Sequence, residues 1–246
     1  GFGGGFVTVP IITLVDADLG SDTARVAAAT SALVMLVNAI VATVSTKRST
    51  LAHLKGRWWL LGLLALGGGL GAFAGRFAPE VMLQWGFVAY IAATAIDLLA
   101  RPGFFRRKAA VVDEVGEVSE GGRGIAAVWG VPIGGLASFL GVGGSVMTVP
   151  MMRRSGATMT VATTLANPLT LVIMSPAVLV TILTPAAIEA PGIVGSLDLV
   201  AAAALLIGGL PLIVFLRRRV PKIPEILHAW GYFVLLVAAG VVVAVA

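Results

Sequence analysis

Two clustered glycine runs carry the chemistry this chain most clearly offers: GFGGGFVTVP at 1–10 and GVGGSVMTVP at 141–150. Six of the ten aligned positions are identical, Thr8/Thr148 and Pro10/Pro150 among them. A glycine turn exposes backbone N–H groups. Where it opens a helix, the unpaired donors and the positive end of the dipole suit a small anion. The candidate donors are Gly3, Gly4 and Gly5 in the first run and Gly143, Gly144 and Ser145 in the second, where Ser145 adds a hydroxyl at the position of Gly5. Each run leads into a short apolar helix that Pro10 or Pro150 is expected to end. The following segments supply neutral polar side chains: Thr30, Ser31 and Asn38 in one, Thr163, Thr164 and Asn167 in the other. Hydroxyls and amides can donate to an oxyanion without burying a charge. A plainer reading stands beside each: glycines also allow tight helix contact, and hydroxyls in helices often bond back to the carbonyl four residues earlier.

Other chemistry is thinly represented. With no cysteine, there is no thiolate nucleophile, Cys-ligated metal or disulfide. His53 and His228 have no partner at metal spacing, and neither a Gly-x-Ser-x-Gly elbow nor a P-loop occurs. No catalytic residue, metal site, cofactor or enzymatic activity is expected. Asp97 and Arg101, four residues apart, are expected to form an ion pair at a helix end. Gly67, Gly71 and Gly75 form a small-residue packing stripe.

The elements that must hold these residues follow from composition. Of 246 residues, 58% are hydrophobic and 12% charged, against about 25% charged in an average soluble domain. The mean hydropathy is +1.01. Apolar runs at 25–46, 58–76, 80–100, 160–184, 197–216 and 226–246 each approach the roughly 20 residues that cross hydrocarbon as helix. The fold class is an all-α polytopic membrane protein. A nucleic-acid partner is excluded, because the excess of Lys and Arg in such a chain marks cytosolic loops.

The chain reads as two copies of one unit: a first repeat at 1–100, a charged cytosolic linker at 101–123 and a second repeat at 124–246. Residues 124–140 precede the second glycine turn without a counterpart, so the first copy is expected to extend upstream of Gly1. If every segment crosses, Lys and Arg divide eight against nine. If the second glycine-rich segment dips in and returns, the division is fifteen against two, with only Arg25 and Arg76 outside. The second arrangement obeys the positive-inside rule. The two copies are then inverted, each holding a broken or re-entrant segment and three membrane helices, an architecture frequent among secondary transporters.

With GFGGGFVTVP and AATSA in the first half, GVGGSVMTVP and VATTLANP in the second, and LQWGF echoed by HAWGY, the chain resembles the sulfite exporter TauE/SafE family of permeases. The resemblance implies a prokaryotic inner-membrane transporter of small sulfur-containing anions, sulfite or a sulfonate, exported from the cell, with one repeat moving against the other. Its partners are then a small sulfur oxyanion and the lipid bilayer, and nothing points to an oligomeric state. Thiosulfate ranks lower, since the resemblance implies pore cysteines for it. Uptake of sulfonate or thiosulfate stays open at this point, as does a non-transport assembly role in which the glycines only pack helices.

Overall fold

Lipid offers a backbone amide no partner, so a chain with these apolar runs must bond its amides within each segment as helix. The computed structural model describes residues 5–100, 125–155, 157–184, 192–218 and 225–245. Its helices are α1 (Gly5–Val15), α2 (Thr23–Val44), α3 (Arg48–Leu51), α4 (Trp58–Gly75), α5 (Glu80–Ala100), α6 (Gly130–Phe139), α7 (Ser145–Arg154), α8 (Met159–Leu183), α9 (Leu199–Arg218) and α10 (Glu225–Val245). A small antiparallel hairpin pairs β1 (Ile193–Val194) with β2 (Leu197–Asp198). Four helices, α2, α4, α5 and α8, are long and apolar enough to cross a membrane, and α9 and α10 contain shorter apolar stretches. The six expected spans therefore fall on six observed helices, their ends displaced by a few residues. The linker at 101–123 lies outside the described residues.

Pro10 and Pro150 do not end their helices: α1 continues to Val15 and α7 to Arg154. A proline inside a helix frees the carbonyl four residues back. Pro150 frees that of Val146, which accepts the Tyr232 hydroxyl from α10 at 3.3 Å. Pro168 frees that of Thr164, which accepts the Asn167 side-chain amide at 3.3 Å. At Pro150 and Pro168 a side chain takes the orphaned acceptor.

The packing has a repeating logic. α1 lies on α2 as α7 lies on α8, α9 on α2 as α4 on α8, and α10 on α1 as α5 on α7. Helices α2 and α8 pack together at the centre, where Phe6, Met35, Leu169, Ile173 and Tyr232 are fully buried. The glycine stripe brings α4 and α6 into backbone contact. A Cβ on Gly67 would overlap the Val131 carbonyl, and one on Gly71 that of Gly135. Gly130 lies against Leu63 and Gly75 against Phe139, so α6 runs beside α4 in the same direction. Leu70, Phe73, Val81 and Val241 face outward, an apolar belt suited to hydrocarbon.

Helix α5 reaches both ends of this bundle. The Glu80 carboxylate at its start accepts the Ala24 amide of α2, and Asp97 near its end pairs with Arg154 of α7. Glu80 and Asp97 stand 17 positions apart, about 26 Å along a helix. Arg101, the partner of Asp97 expected from chain proximity, lies outside the described residues; among those described, the docking of α7 on α5 brings Arg154 to Asp97.

Candidate functional site

The second glycine run forms the turn between α6 and α7. Gly141 and Gly143 adopt positive φ, 65° and 75°, the left-handed conformation that closes a helix most easily with glycine. The Ala137 carbonyl accepts the Val142 amide at 3.0 Å and the Gly143 amide at 3.4 Å. The Gly143 donor is therefore spent on ending α6. The other helix-opening amides of this turn are those of the first turn of α7. Gly143, Gly144 and Ser145 are all buried.

The first run meets this turn at Gly5, where α1 begins; Gly3 and Gly4 lie outside the described residues. A Cβ on Gly5 would overlap both the Val142 carbonyl and Met35 Sδ, so the two runs are in contact. Ser31 ties them together. Its hydroxyl donates to the Gly141 carbonyl at 2.8 Å, lies 3.4 Å from that of Gly5 and shares a 2.7 Å hydrogen bond with Thr8. From this meeting point the half-helices diverge. α1 ends where the Asp16 carbonyl accepts the Thr23 hydroxyl at 3.0 Å, and α7 ends where Arg154 meets Asp97.

The remaining polar candidates scatter. Thr30 is fully buried and accepts the Asp198 amide at 2.9 Å, which anchors the β-hairpin to α2. Thr163 and Thr164 donate to the Thr160 carbonyl at 3.2 and 2.7 Å. The Asn167 amide donates to the Thr163 and Thr164 carbonyls, each at 3.3 Å. Asn38 Oδ1 is buried without a partner among the described residues. Of the named side chains, Ser31 alone is placed by these bonds at the meeting of the turns.

Two hydroxyls absent from the sequence-based set do lie beside the second turn. Thr170 and Thr148 are fully buried, and neither Oγ1 has a hydrogen-bond partner among the described residues. Both side chains come within 4 Å of the place a Gly144 Cβ would occupy, Thr170 through Oγ1 at 3.8 Å. Thr148 carried a signal, since it is one of the repeated positions. Thr170 carried none, because the aligned residue of the first copy is Val37. The space in front of the turns is taken by Met35, whose Sδ is 2.7 Å from the Cβ position of Gly143.

A cleft of about 90 Å³ opens toward this region from the end of the bundle that holds Arg25 and Arg76, with Ala28, Ser138, Thr181 and Thr184 among its walls. Arg25 pairs with Asp22 and donates to the Ala78 carbonyl at 3.2 Å. The Arg76 guanidinium lies 5.8 Å from the Phe77 ring centroid. Near the same end, burial and then the neighbouring Asp198 carboxylate raise the Asp16 pKa to about 6. The cleft walls mix neutral hydroxyls with cations, a surface on which an oxyanion can rest.

The family model described as sulfite exporter TauE/SafE matches residues 1–243. No curated protein and no solved structure matches the chain.

Proposed function

The chain belongs to the sulfite exporter TauE/SafE family, and from that membership we propose that it exports a small sulfur-containing oxyanion, sulfite or an organosulfonate, across a prokaryotic inner membrane. One observation carries the reading. The glycine turns of both repeats meet at Gly5 and Val142, and half-helices leave that point toward opposite ends of the bundle. In this reading residues 1–100 and 124–246 are inverted repeats joined by a cytosolic linker at 101–123. The helix starts of α1 and α7 present positive dipole ends to an anion held between the two faces. Gly143, Gly144 and Ser145 line that position, with Ser31 fixing the turns and Met35 filling the gap when no anion is there.

The placement of charges supports the inverted topology. Arg25 adjoins the Glu80 end of α5, whereas Arg154 pairs at the Asp97 end. An arrangement in which every segment crosses would put Arg25 and Arg154 on one side, which is hard to reconcile with their positions along α5. A re-entrant α6–α7 puts Arg154 in the cytosol and leaves Arg25 and Arg76 outside, at the mouth of the cleft.

A negative-inside potential favours anion exit by about 2.3 kcal/mol per charge per 100 mV. Export then requires no coupled ion. Purified protein in liposomes loaded with sulfite should release it when a potential of the matching sign is imposed. Flux that responds to a proton gradient alone, at zero potential, would overturn uncoupled export. It would favour the second reading, proton-coupled uptake, for which the Asp16–Asp198 carboxyl pair supplies a protonatable group.

A further inference from the structure

Buried hydroxyls normally find an acceptor, because leaving one unpaired forfeits its hydration without return. Thr148 and Thr170 break that rule side by side, each fully buried and each without a partner among the described residues. They come from different helices, Thr148 from α7 and Thr170 from α8, yet both flank Gly144, the N-cap of α7: Thr170 through its hydroxyl, 3.8 Å from the Gly144 Cβ position, and Thr148 through its Cγ2 methyl at 3.9 Å. Two kinds of neutral donor meet there, the Thr170 hydroxyl and the first-turn amides of a ten-residue helix, and rotation about χ1 of Thr148 exchanges its methyl for its unpaired hydroxyl. An oxyanion with several acceptor oxygens satisfies such a set, and each donor strengthens when its acceptor is charged.

We propose that Thr148 and Thr170 are the hydroxyl ligands of a small-oxyanion site at the N-terminus of α7, so that the anion rests against the second repeat. This rests on the permease reading above and specifies which side chains hold the substrate. The Met35 thioether, 2.7 Å from the Gly143 Cβ position, occupies the approach. A flexible, unbranched side chain such as Met35 can leave this space by rotamer change alone.

The first repeat lacks this set. Thr8, the counterpart of Thr148, spends its hydroxyl on Ser31 and the Gly5 carbonyl, at 2.7 and 3.1 Å, and Val37 stands at the position of Thr170. The second turn alone retains unspent hydroxyls, so the site is one-sided within a two-fold framework.

The test compares wild type with T148V, T170V and the conservative T170S, purified in detergent, with sodium sulfite as the probe. Wild type should gain thermal stability with rising sulfite and move sulfite in liposomes. T148V and T170V should fold with unchanged or raised Tm, since each replaces an unpaired hydroxyl with a methyl group. Their sulfite affinity should fall at least tenfold, while T170S keeps it within about threefold. Equal sulfite stabilisation of wild type and both valine variants would overturn the proposal and show that a water satisfies the hydroxyls. A T170V chain that failed to fold would overturn it equally, by showing that the hydroxyl is bonded within the fold. A wild-type protein that neither binds nor moves sulfite, sulfonate or thiosulfate would remove the permease reading and this site with it.

Discussion

The two glycine turns share one sequence motif and differ in what surrounds them. The first is closed. Gly5 abuts the Val142 carbonyl, a backbone group that cannot move aside, and the Thr8 and Ser31 hydroxyls satisfy each other. The second is lined by side-chain ends: Ile173 Cδ1 faces Gly144 at 2.6 Å, Met35 Sδ faces Gly143, and the Thr148 hydroxyl is unpaired. Thr164, the counterpart of Ser31, turns away to bond the Thr160 carbonyl. The same polar positions occur in both motifs. One set acts as a brace, and the other has an unpaired hydroxyl and an adaptable wall.

If that contrast is right, the largest effect comes from adding a methyl group to each turn. G5A drives Cβ into backbone and should cost about 3 kcal/mol or more, seen as loss of folded protein or a steep drop in Tm. G144A meets the flexible end of Ile173 and should cost about 1 kcal/mol. Equal costs in a thermal melt would erase the distinction between a rigid and a yielding turn. A second, smaller contrast separates the paired hydroxyls. S31A strands the buried Gly141 carbonyl and should lose about 1–3 kcal/mol. T164A removes only a bond back to its own helix and should stay within about 0.5 kcal/mol. The reverse order would mean that the brace lies in the second repeat.

The smallest effect is in pH dependence, at the end of α1. Asp16, raised to about 6 from an ordinary 3.8, holds its proton more firmly in the fold than in the unfolded chain. Stability from this group is complete below about pH 4 and is lost as pH rises through about 6. Tm should fall over that window in wild type, and D16N should flatten the decline. A Tm that rises between pH 4 and 6, with D16N unchanged, would show that Asp16 is ionised against a cation instead.

Helix positions were legible in the sequence because hydropathy alone decides what can sit in lipid. The doubled motif was legible because Gly, Thr and Pro recur at fixed spacing. Contacts between helices were not. Pro10 and Pro150 read as helix ends until Tyr232, more than eighty residues downstream of Pro150, is seen to take the Val146 carbonyl. Arg154 reaches Asp97 from another helix, a contact that no spacing along the chain indicates. The sequence also did not show that the Asn167 amide reaches the Thr164 carbonyl freed by Pro168 in its own helix. Thr170 gave no signal at all, since only the fold brings it beside Thr148.

The contact between α4 and α6 bears on how such a molecule changes shape. Val131, Gly135 and Leu64 leave no slack between the two backbones, so this pair cannot shear or separate without losing its closest packing. Yet in the proposed repeat division α4 belongs to residues 1–100 and α6 to residues 124–246. If the openings alternate, the swing must carry these two helices together, so the moving parts differ from the proposed repeats. The sliding seam has to run elsewhere, past the side-chain-lined approach at Met35.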